Sequence, residues 1–268
     1  MSTDDANGHC KRIVIFDFDH TLIDCNSDEH VFPMLTKGKA VPITYTGGSW
    51  LGHMGLIFEH LHKEHLVSPE EFTQSLETLP FVSGIPELIV NLSKQPGHQL
   101  MVLSDANEIF IEHALKANNL RHLFSKIYTN KAAFDQFGCL KVEAHEDQAM
   151  RAAAGTCPTG ECPENLCKGS EIVRIIDEFK QYGEPEIWYC GDGWNDWCAS
   201  VQLPSEKHHV FARKGYTLYN IINRGGKKSS KKKLDEAHDP TLKCNASFWK
   251  DGHELAECMY NLDPSIKP

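Results

Sequence analysis

The sequence predicts an α/β fold in which a central parallel sheet is flanked by helices. Short apolar runs alternate along the chain with segments of helical periodicity, a pattern typical of parallel strands joined by crossover helices. Three of these runs end in an aspartate. Because open parallel sheets bind ligands at the carboxyl ends of their strands, the aspartates also predict a functional site at that edge.

Five strands and at least two crossover helices account for the alternation. The apolar runs that predict strands are residues 11–17, 98–105, 126–130, 186–192 and 208–213. Helical spacing of apolar residues predicts helices over 107–118 and 169–181. Residues 131–167 are predicted to be irregular, apart from a hairpin around residues 135–140.

The segment that follows the first strand departs from this alternation and is predicted to be helical. Apolar side chains recur in it at helical spacing, and Ser-Pro-Glu-Glu at 68–71 is a helix start signal. We therefore predict a small helical domain over residues 25–82, inserted into a core formed by residues 10–24 and 83–268. An insertion at this point would lie over the carboxyl edge of the sheet and could act as a lid.

Composition excludes several classes of protein. The formal net charge of −10 argues against nucleic acid as a partner, since binding phosphates needs a basic surface. No apolar run reaches the length of about 18 residues that suggests a membrane span, and the polar N-terminus has no signal-peptide core. We interpret the ten cysteines as reduced thiols of a cytoplasmic protein.

Asp17 and Asp19 lie one residue apart at the end of the first predicted strand. Residues i and i+2 of a strand point the same way, so the two carboxylates repel each other unless a cation lies close by. Mg²⁺ prefers carboxylate and water oxygens, and it can bridge such a site to a phosphate. Taken alone, the pair could equally be a strand-end turn.

Three more polar groups follow in the same region of the predicted sheet. Ser104 ends the second strand, Lys168 opens a helix, and the stretch GDGWND after the fourth strand contains Asp192 and Asp196. Each has a structural alternative: Ser104 as a helix cap, Lys168 as a surface residue and the aspartates as turn residues. A hydroxyl, a cation and a second acidic pair in this order nevertheless predict a phosphate-binding site.

This ordered set resembles the four motifs of the haloacid dehalogenase (HAD) superfamily of phosphohydrolases, beginning with Asp17-x-Asp19-x-Thr21. The resemblance implies a Rossmann-like core, and the helical insertion is similar to the C1 cap class. Four further stretches resemble the phosphoethanolamine/phosphocholine phosphatase subfamily: NSD at 26–28, SDAN at 104–107, CPENLCKG at 162–169 and GDGWNDWC at 191–198. Relatives of that subfamily act on pyridoxal phosphate, thiamine monophosphate and pyrophosphate.

The resemblance also implies roles for the first-motif and phosphate-binding residues. Asp17 is expected to attack phosphorus and form an aspartyl-phosphate. Asp19 is expected to protonate the leaving alkoxide and then to activate water, so its pKa should be raised. Ser104 is expected to donate to a phosphoryl oxygen, and Lys168 to neutralise phosphoryl charge and hold the nucleophile.

A magnesium site is implied by the same motifs. Its expected ligands are the carboxylate of Asp17, the backbone carbonyl of Asp19 and the carboxylate of Asp192. Asp196 is expected to support these ligands or to reach the metal through water. The Mg²⁺ ion is the one cofactor that the sequence predicts.

Asp28 and Asp105 are the predicted contacts for the substrate's head group, by the pattern of the subfamily. A pair of carboxylates would favour a cationic group, although Asp at a strand-to-helix junction can also be a cap. Three tryptophans could add a cation–π wall or could belong to the core or rim: Trp50, Trp194 and Trp197. Trp194 and His20 differ from the residues usual in the subfamily and leave the substrate open.

The function predicted from the sequence is a Mg²⁺-dependent phosphomonoesterase for phosphocholine or phosphoethanolamine. The alternatives are pyridoxal phosphate, thiamine monophosphate or pyrophosphate as substrate, a phosphotransferase, and a catalytically silent binding protein with the same fold. Cys157, Cys162 and Cys167 form a loop that could hold buried thiols, zinc or a redox-sensitive group. A basic segment over 223–233 is predicted to be a solvated loop or a contact with an anionic membrane.

Overall fold

Seven strands form one sheet in the computed structural model, which describes residues 10–145, 166–225 and 241–266. The strands are β1 (Arg12–Phe16), β2 (His98–Asn107), β3 (Phe124–Phe134), β4 (Leu140–Glu143), β5 (Glu186–Gly191), β6 (His209–Arg213) and β7 (Asn245–Trp249). Their order is β4-β3-β2-β1-β5-β6-β7. All neighbours are parallel except β3 and β4, which form an antiparallel hairpin. The predicted α/β fold is confirmed.

Helices cover both faces of this sheet within the described residues. They are α1 (Ser27–Leu35), α2 (Trp50–Glu64), α3 (Pro69–Leu76), α4 (Ile85–Ser93), α5 (Glu108–Ala117), α6 (Lys168–Phe179), α7 (Trp194–Ser200), α8 (Thr217–Asn223) and α9 (Gly252–Leu262). None of the helices in the described part of the chain is long and apolar enough to cross a membrane.

The hairpin of β3 and β4 confirms one prediction and corrects another. The turn lies at residues 135–139, as predicted, but residues 131–134 continue β3 and are not irregular. Exposed and half-buried side chains alternate over this part of β3, so it lacks the continuous apolar run of a central strand. The short strand β7 escaped prediction because it carries several exposed or half-buried residues.

The central strand β1 separates two hydrophobic cores. Val14 and Phe16 point into one core, with α4, α5 and α9, while Ile13 and Ile15 point into the other, with α6, α7 and α8. Burial on both faces explains why this strand has an unbroken apolar sequence. Packing on both faces therefore fixes the strand directly before Asp17.

Helices α1, α2 and α3 occupy the segment that was predicted to be a helical insertion. The predicted start of α3 is confirmed, because Ser68 and Glu71 form a reciprocal capping box. The apolar side chains of these helices join the same core as α4 and α5, with Phe72 of α3 against Phe110 of α5 at a ring distance of 5.7 Å. The domain boundaries at 25 and 82 remain a prediction.

The two chain segments that enter and leave these helices pair with each other. Ile23 and Phe81 form an antiparallel bridge, the N–H of Asp24 donates to the carbonyl of Pro80 at 2.7 Å, and the N–H of Val82 donates to the carbonyl of Leu22. A two-segment ribbon therefore joins the helical segment to the sheet. It begins directly after the loop that carries Asp19.

Gly84 and Gly252 approach each other closely at the point where the chain leaves this ribbon and enters α4. Gly84 adopts φ +82° before α4, and the N–H of Gly252 donates to the carbonyl of Ser83 at 2.7 Å. A Cβ added to Gly252 would lie 2.3 Å from the backbone carbon of Gly84 and from the nitrogen of Ile85. Neither backbone atom can move cheaply, so only glycine fits at this contact.

Gly252→Ala is expected to lower the free energy of unfolding by about 1–3 kcal/mol, the usual cost of overpacking. Gly55→Ala is the matched control, since Gly55 lies inside α2 with no atom within 4 Å of its added Cβ. Alanine should stabilise that helix by about 0.5–1 kcal/mol. Urea unfolding of both variants measures the difference; equal stabilities would contradict the glycine contact.

Candidate active site

The predicted site residues meet at the carboxyl edge of three adjacent strands. Asp17 directly follows β1, Ser104 and Asp105 lie near the end of β2, and Asp192 directly follows β5. Because β2, β1 and β5 are neighbours in the sheet, these positions lie side by side. Lys168 opens α6 at the same edge.

Lys168 is fully buried between two carboxylates. Its Nζ lies 2.7 Å from Oδ1 of Asp17 and 2.8 Å from Oδ1 of Asp196. Burial alone would lower the pKa of this lysine, but the two carboxylates outweigh burial and the pKa is raised. Lys168 therefore carries a positive charge and is not a surface residue.

Asp196 accepts hydrogen bonds from four groups. Its Oδ1 accepts from Nζ of Lys168 and, at 2.5 Å, from the hydroxyl of Tyr189. Its Oδ2 accepts from the backbone N–H groups of Asp192 and Gly193, at 2.8 and 2.7 Å. A Cβ on Gly191 would lie 2.4 Å from the Asp196 side chain, which explains the glycine there.

Three buried carboxylates form a cluster that could hold a metal ion. One oxygen of each lies within 4.8 Å of the others, from Asp17, Asp192 and Asp196. Burial, followed by repulsion from Asp196, raises the pKa of Asp17 well above its usual range and that of Asp192 to about 7. The all-oxygen donor set fits Mg²⁺, and a divalent cation would relieve the repulsion.

Asp19 points away from this cluster, toward the helical segment. Its Oδ1 accepts a hydrogen bond of 3.1 Å from the backbone N–H of Ser27, the first residue of α1. Burial, and then the charge of Asp28, raise the pKa of Asp19 well above its usual range. This shift favours the protonated form of the carboxyl group, which an acid catalyst requires.

Ser104 is buried at the end of β2, where its Oγ accepts from the N–H of Ala106 at 3.2 Å. The structural alternative for Ser104 is wrong, because Asn107 caps the following helix α5. Asp105 lies between these residues, half-buried, and its charge contributes to the raised pKa of Asp17. Asn130 of β3 donates to the carbonyls of Asp105 and Ala106, both at 2.8 Å, and so fixes this turn.

Asp28 lies in the first turn of α1, close to Asp19. It is not the cap of the helix, since that role belongs to Asn26. Burial raises the pKa of Asp28 to about 7, and a hydrogen bond from the Trp50 side chain opposes this shift. Trp50 thus lies beside the predicted head-group contact.

The other two tryptophans lie on the α7 side of the sheet. Trp197 of α7 is buried in the core, which is one of the two places predicted for it, and it forms no part of a cation–π wall. Trp194 is half-buried and packs against the same core. Trp50, which donates to Asp28, packs against Tyr45 and His53 at ring distances of 5.3 Å.

His20 follows Asp19 in a left-handed backbone conformation, with φ 55°. The Arg213 side chain, from the end of β6, donates to the carbonyl of His20 at 2.7 Å and to Oδ1 of Asp24 at 2.6 Å. Burial lowers the pKa of His20. Arg213 was absent from the predicted site, although its position at the end of a parallel strand was a signal.

The cysteine loop is described only at its end. Cys157 and Cys162 lie outside the described residues, as does most of the predicted basic loop at 223–233. Cys167 is buried, caps α6 through its sulfur, and lies 3.7 Å from Cys198, sulfur to sulfur. Cys167 directly precedes Lys168 in the sequence, so this sulfur–sulfur contact lies beside the ion pair of the lysine.

Comparison with known proteins agrees with this geometry. Residues 12–262 match the family described as "Putative Phosphatase". The chain belongs to this phosphatase family. It is a phosphoric monoester hydrolase with the fold of HAD hydrolases; the HAD family hydrolase t0658 of Salmonella enterica serovar Typhi superposes with a TM-score of 0.51 at 14% identity, over 79% of this chain and 65% of that one.

Two relatives of this phosphatase narrow the range of substrates to be considered. The pyridoxal phosphate phosphatase PHOSPHO2 of Mus musculus is 34% identical, over 91% of this chain and 95% of its own. Inorganic pyrophosphatase 1 of Arabidopsis thaliana is 31% identical, over 78% of this chain and 69% of its own. Both names correspond to the alternative substrates predicted from the sequence, and neither corresponds to phosphocholine.

In the presence of a chelator, the free energy of unfolding of the phosphatase is expected to fall as the pH rises from about 4 to about 7. Acids such as Asp192, whose pKa is raised on folding, bind more protons in the folded state, so that stability is lost as they ionise. Mg²⁺ at about 100 times its Kd should raise the free energy of unfolding by about 2.7 kcal/mol.

The measurement is the melting temperature with EDTA and with Mg²⁺, at pH about 5 and about 8. The increase with Mg²⁺ should be larger at pH 8 and should largely vanish in Asp192→Asn. Asp177→Asn, which changes an exposed residue of α6, is the control. An equal increase at both pH values would contradict the acidic metal site.

Proposed function

We propose that the protein is a Mg²⁺-dependent phosphomonoesterase that forms a phosphoryl intermediate on Asp17 and acts on pyridoxal phosphate. The observation that carries the proposal is the position of buried Lys168 between Asp17 and Asp196, with Asp192 beside them. A lysine and an acidic cluster in one place can compensate the charge of a transferred phosphoryl group.

Asp17 is oriented for nucleophilic attack through one of its oxygens. Its Oδ1 accepts from Nζ of Lys168 and from the backbone N–H of Phe18, both at 2.7 Å. This arrangement directs the other oxygen, Oδ2, to the phosphorus. Attack forms the bond from Oδ2 to phosphorus while the bond from phosphorus to the ester oxygen breaks.

Asp19 supplies the proton that the leaving oxygen needs. Its raised pKa favours the protonated form, and the N–H of Ser27 donates to its Oδ1 and so orients the side chain. After the leaving group departs, the resulting carboxylate takes a proton from water, which attacks the aspartyl-phosphate and releases phosphate.

Ser104 and Lys168 hold the phosphoryl group during both steps. The hydroxyl of Ser104 is placed at the end of β2, where it can donate to a phosphoryl oxygen. Lys168 neutralises charge on the same group. Both side chains are buried, which strengthens their electrostatic effect relative to water.

Mg²⁺ would be held by the carboxylates of Asp17 and Asp192 and by the backbone carbonyl of Asp19. When bound, the ion supplies a positive charge that draws the substrate's phosphate toward the nucleophile. Asp196 is better suited to holding Lys168 and the loop of Asp192 in place than to binding the metal itself. Each of its two oxygens already accepts two hydrogen bonds.

Residues 25–82 act in this proposal as a cap that brings Asp28 and Trp50 to the substrate. Asp28 has a pKa near 7 and can therefore share a proton with a ring nitrogen. Pyridoxal phosphate offers such a nitrogen on a flat ring, and the indole of Trp50 suits that ring. The named activity of the murine relative supports this choice of substrate.

Other substrates fit the same residues less well. A choline group has no N–H to donate and needs an ionised carboxylate, whereas Asp28 is half neutral at pH near 7. Pyrophosphate is the second candidate, because a plant relative carries that name. The negative charge of Asp105 would repel its second phosphate. The predicted cytoplasmic location stays a prediction.

A panel of phosphorylated metabolites tests the proposal by the rate of phosphate release. The panel contains pyridoxal phosphate, thiamine monophosphate, phosphocholine, phosphoethanolamine and pyrophosphate, with p-nitrophenyl phosphate as a general substrate. We expect pyridoxal phosphate to have the highest kcat/KM, and EDTA to abolish all turnover. Faster release from pyrophosphate would favour the second candidate.

Asp17→Asn is expected to reduce kcat for every substrate by a factor of at least about 10⁴, because an amide is a poor nucleophile. Asp177→Asn is the matched control and should retain the activity of the natural protein. Circular dichroism checks that both variants are folded. Substantial residual turnover in folded Asp17→Asn would rule out the covalent route.

Asp28→Ala is expected to raise KM for pyridoxal phosphate by about 10–100-fold, since a hydrogen bond to a charged group contributes about 1.5–3 kcal/mol. KM for p-nitrophenyl phosphate should change little. Glu29→Ala, which removes the exposed neighbouring carboxylate of α1, is the control. Equal changes for the two substrates would remove Asp28 from substrate selection.

A further inference from the structure

A buried tyrosine contacts the acidic residue that holds Lys168. The hydroxyl of Tyr189 donates to Oδ1 of Asp196 at 2.5 Å, and the same oxygen accepts from Nζ of Lys168 at 2.8 Å. The phenol is the donor in this contact, because a carboxylate oxygen can only accept. None of the motifs that predicted the site includes this residue.

The strand β5 determines where this hydroxyl lies. Alternate residues of β5 face opposite sides of the sheet: Trp188 and Cys190 join one core, while Tyr189 joins the other, below α6 and α7. Its ring is fully buried and its hydroxyl reaches Asp196 at the start of α7. Phenylalanine could fill the same space and would lack only the hydroxyl.

We propose that Tyr189 is a positioning residue that acts through Asp196 to set how Lys168 is shared between Asp196 and the nucleophile Asp17. This inference rests on the proposed roles of Asp17 and Lys168. It adds a residue outside the four motifs. This residue affects catalysis through two contacts, from Tyr189 to Asp196 and from Asp196 to Lys168.

Competition for one ammonium group is the physical basis. Lys168 lies almost equally close to both carboxylates, 2.7 Å from Asp17 and 2.8 Å from Asp196. A hydrogen bond from Tyr189 withdraws charge from Oδ1 of Asp196 and so weakens its attraction for Lys168. Without the hydroxyl, the ammonium group would shift toward Asp196 and away from the phosphoryl group.

A second consequence follows at the other oxygen of Asp196. Oδ2 accepts the backbone N–H groups of Asp192 and Gly193, which form the loop after β5. A rotation of the Asp196 side chain would therefore also move the backbone of Asp192, a proposed metal ligand. Groups that orient such ligands typically change activity or metal affinity by about 10–100-fold when they are removed.

Tyr189→Phe tests the inference. With p-nitrophenyl phosphate we expect kcat to fall about 10–100-fold while KM changes less than about threefold. Binding of beryllium trifluoride with Mg²⁺, which mimics the phosphorylated aspartate, should weaken in calorimetry. Tyr128→Phe is the matched control, because it removes a hydroxyl that bonds to the surface carboxylate of Glu178 and should change none of these values.

A double-mutant cycle separates action through Asp196 from an independent effect. Asp196→Asn should reduce kcat strongly, and adding Tyr189→Phe should reduce it little further. If the factors by which the two single substitutions lower kcat simply multiply in the double variant, the inference is overturned. An unchanged kcat in Tyr189→Phe would overturn it too, as would a Tyr189→Phe variant that fails to fold. Absence of phosphate release from every substrate of the panel by the natural protein would instead refute the proposed function, while calorimetry still reports on Tyr189.

Discussion

The buried ammonium group of Lys168 is the interaction on which the rest of the site depends. Three carboxylates lie within 4.8 Å of one another in a region that excludes water, and such a cluster is unstable without positive charge. Lys168 provides that charge within the chain itself. Removing one partner of a buried ion pair typically costs about 3–5 kcal/mol, so the site and the stability of the sheet edge are linked.

The sheet converts distant sequence positions into one cluster. Parallel strands end at a common edge, so Asp17, Ser104 and Asp192 need only follow neighbouring strands to become neighbours themselves. The two hydrophobic cores hold β1 from both faces and leave its last residue little freedom. Rigid strands carry the residues proposed for chemistry, while the half-buried Asp28 and Trp50 lie on the helices of the proposed cap.

Much of this arrangement was predictable because it depends on strong local signals. Apolar runs identified the central strands, and the capping box of α3 identified a helix start. The place of Trp197 was left open between pocket and core, because an aromatic residue after an acidic loop has the same sequence signature in both positions; the structure places it in the core. Tyr189 and Asn130 were missed because a polar group inside or at the end of a strand reveals its partner only when strands and helices are brought together.

The hydrogen bond from Ser27 to Asp19 connects two parts of the molecule that the paired ribbon at Ile23 and Phe81 also connects. Asp19, the proposed proton donor, lies in the loop after β1, whereas the amide that orients it belongs to α1, the first helix of the helical segment. Any displacement of that segment large enough to admit a metabolite would break this contact. Under the proposed function, orientation of the acid Asp19 and enclosure of the reactant by the helical segment would therefore occur together.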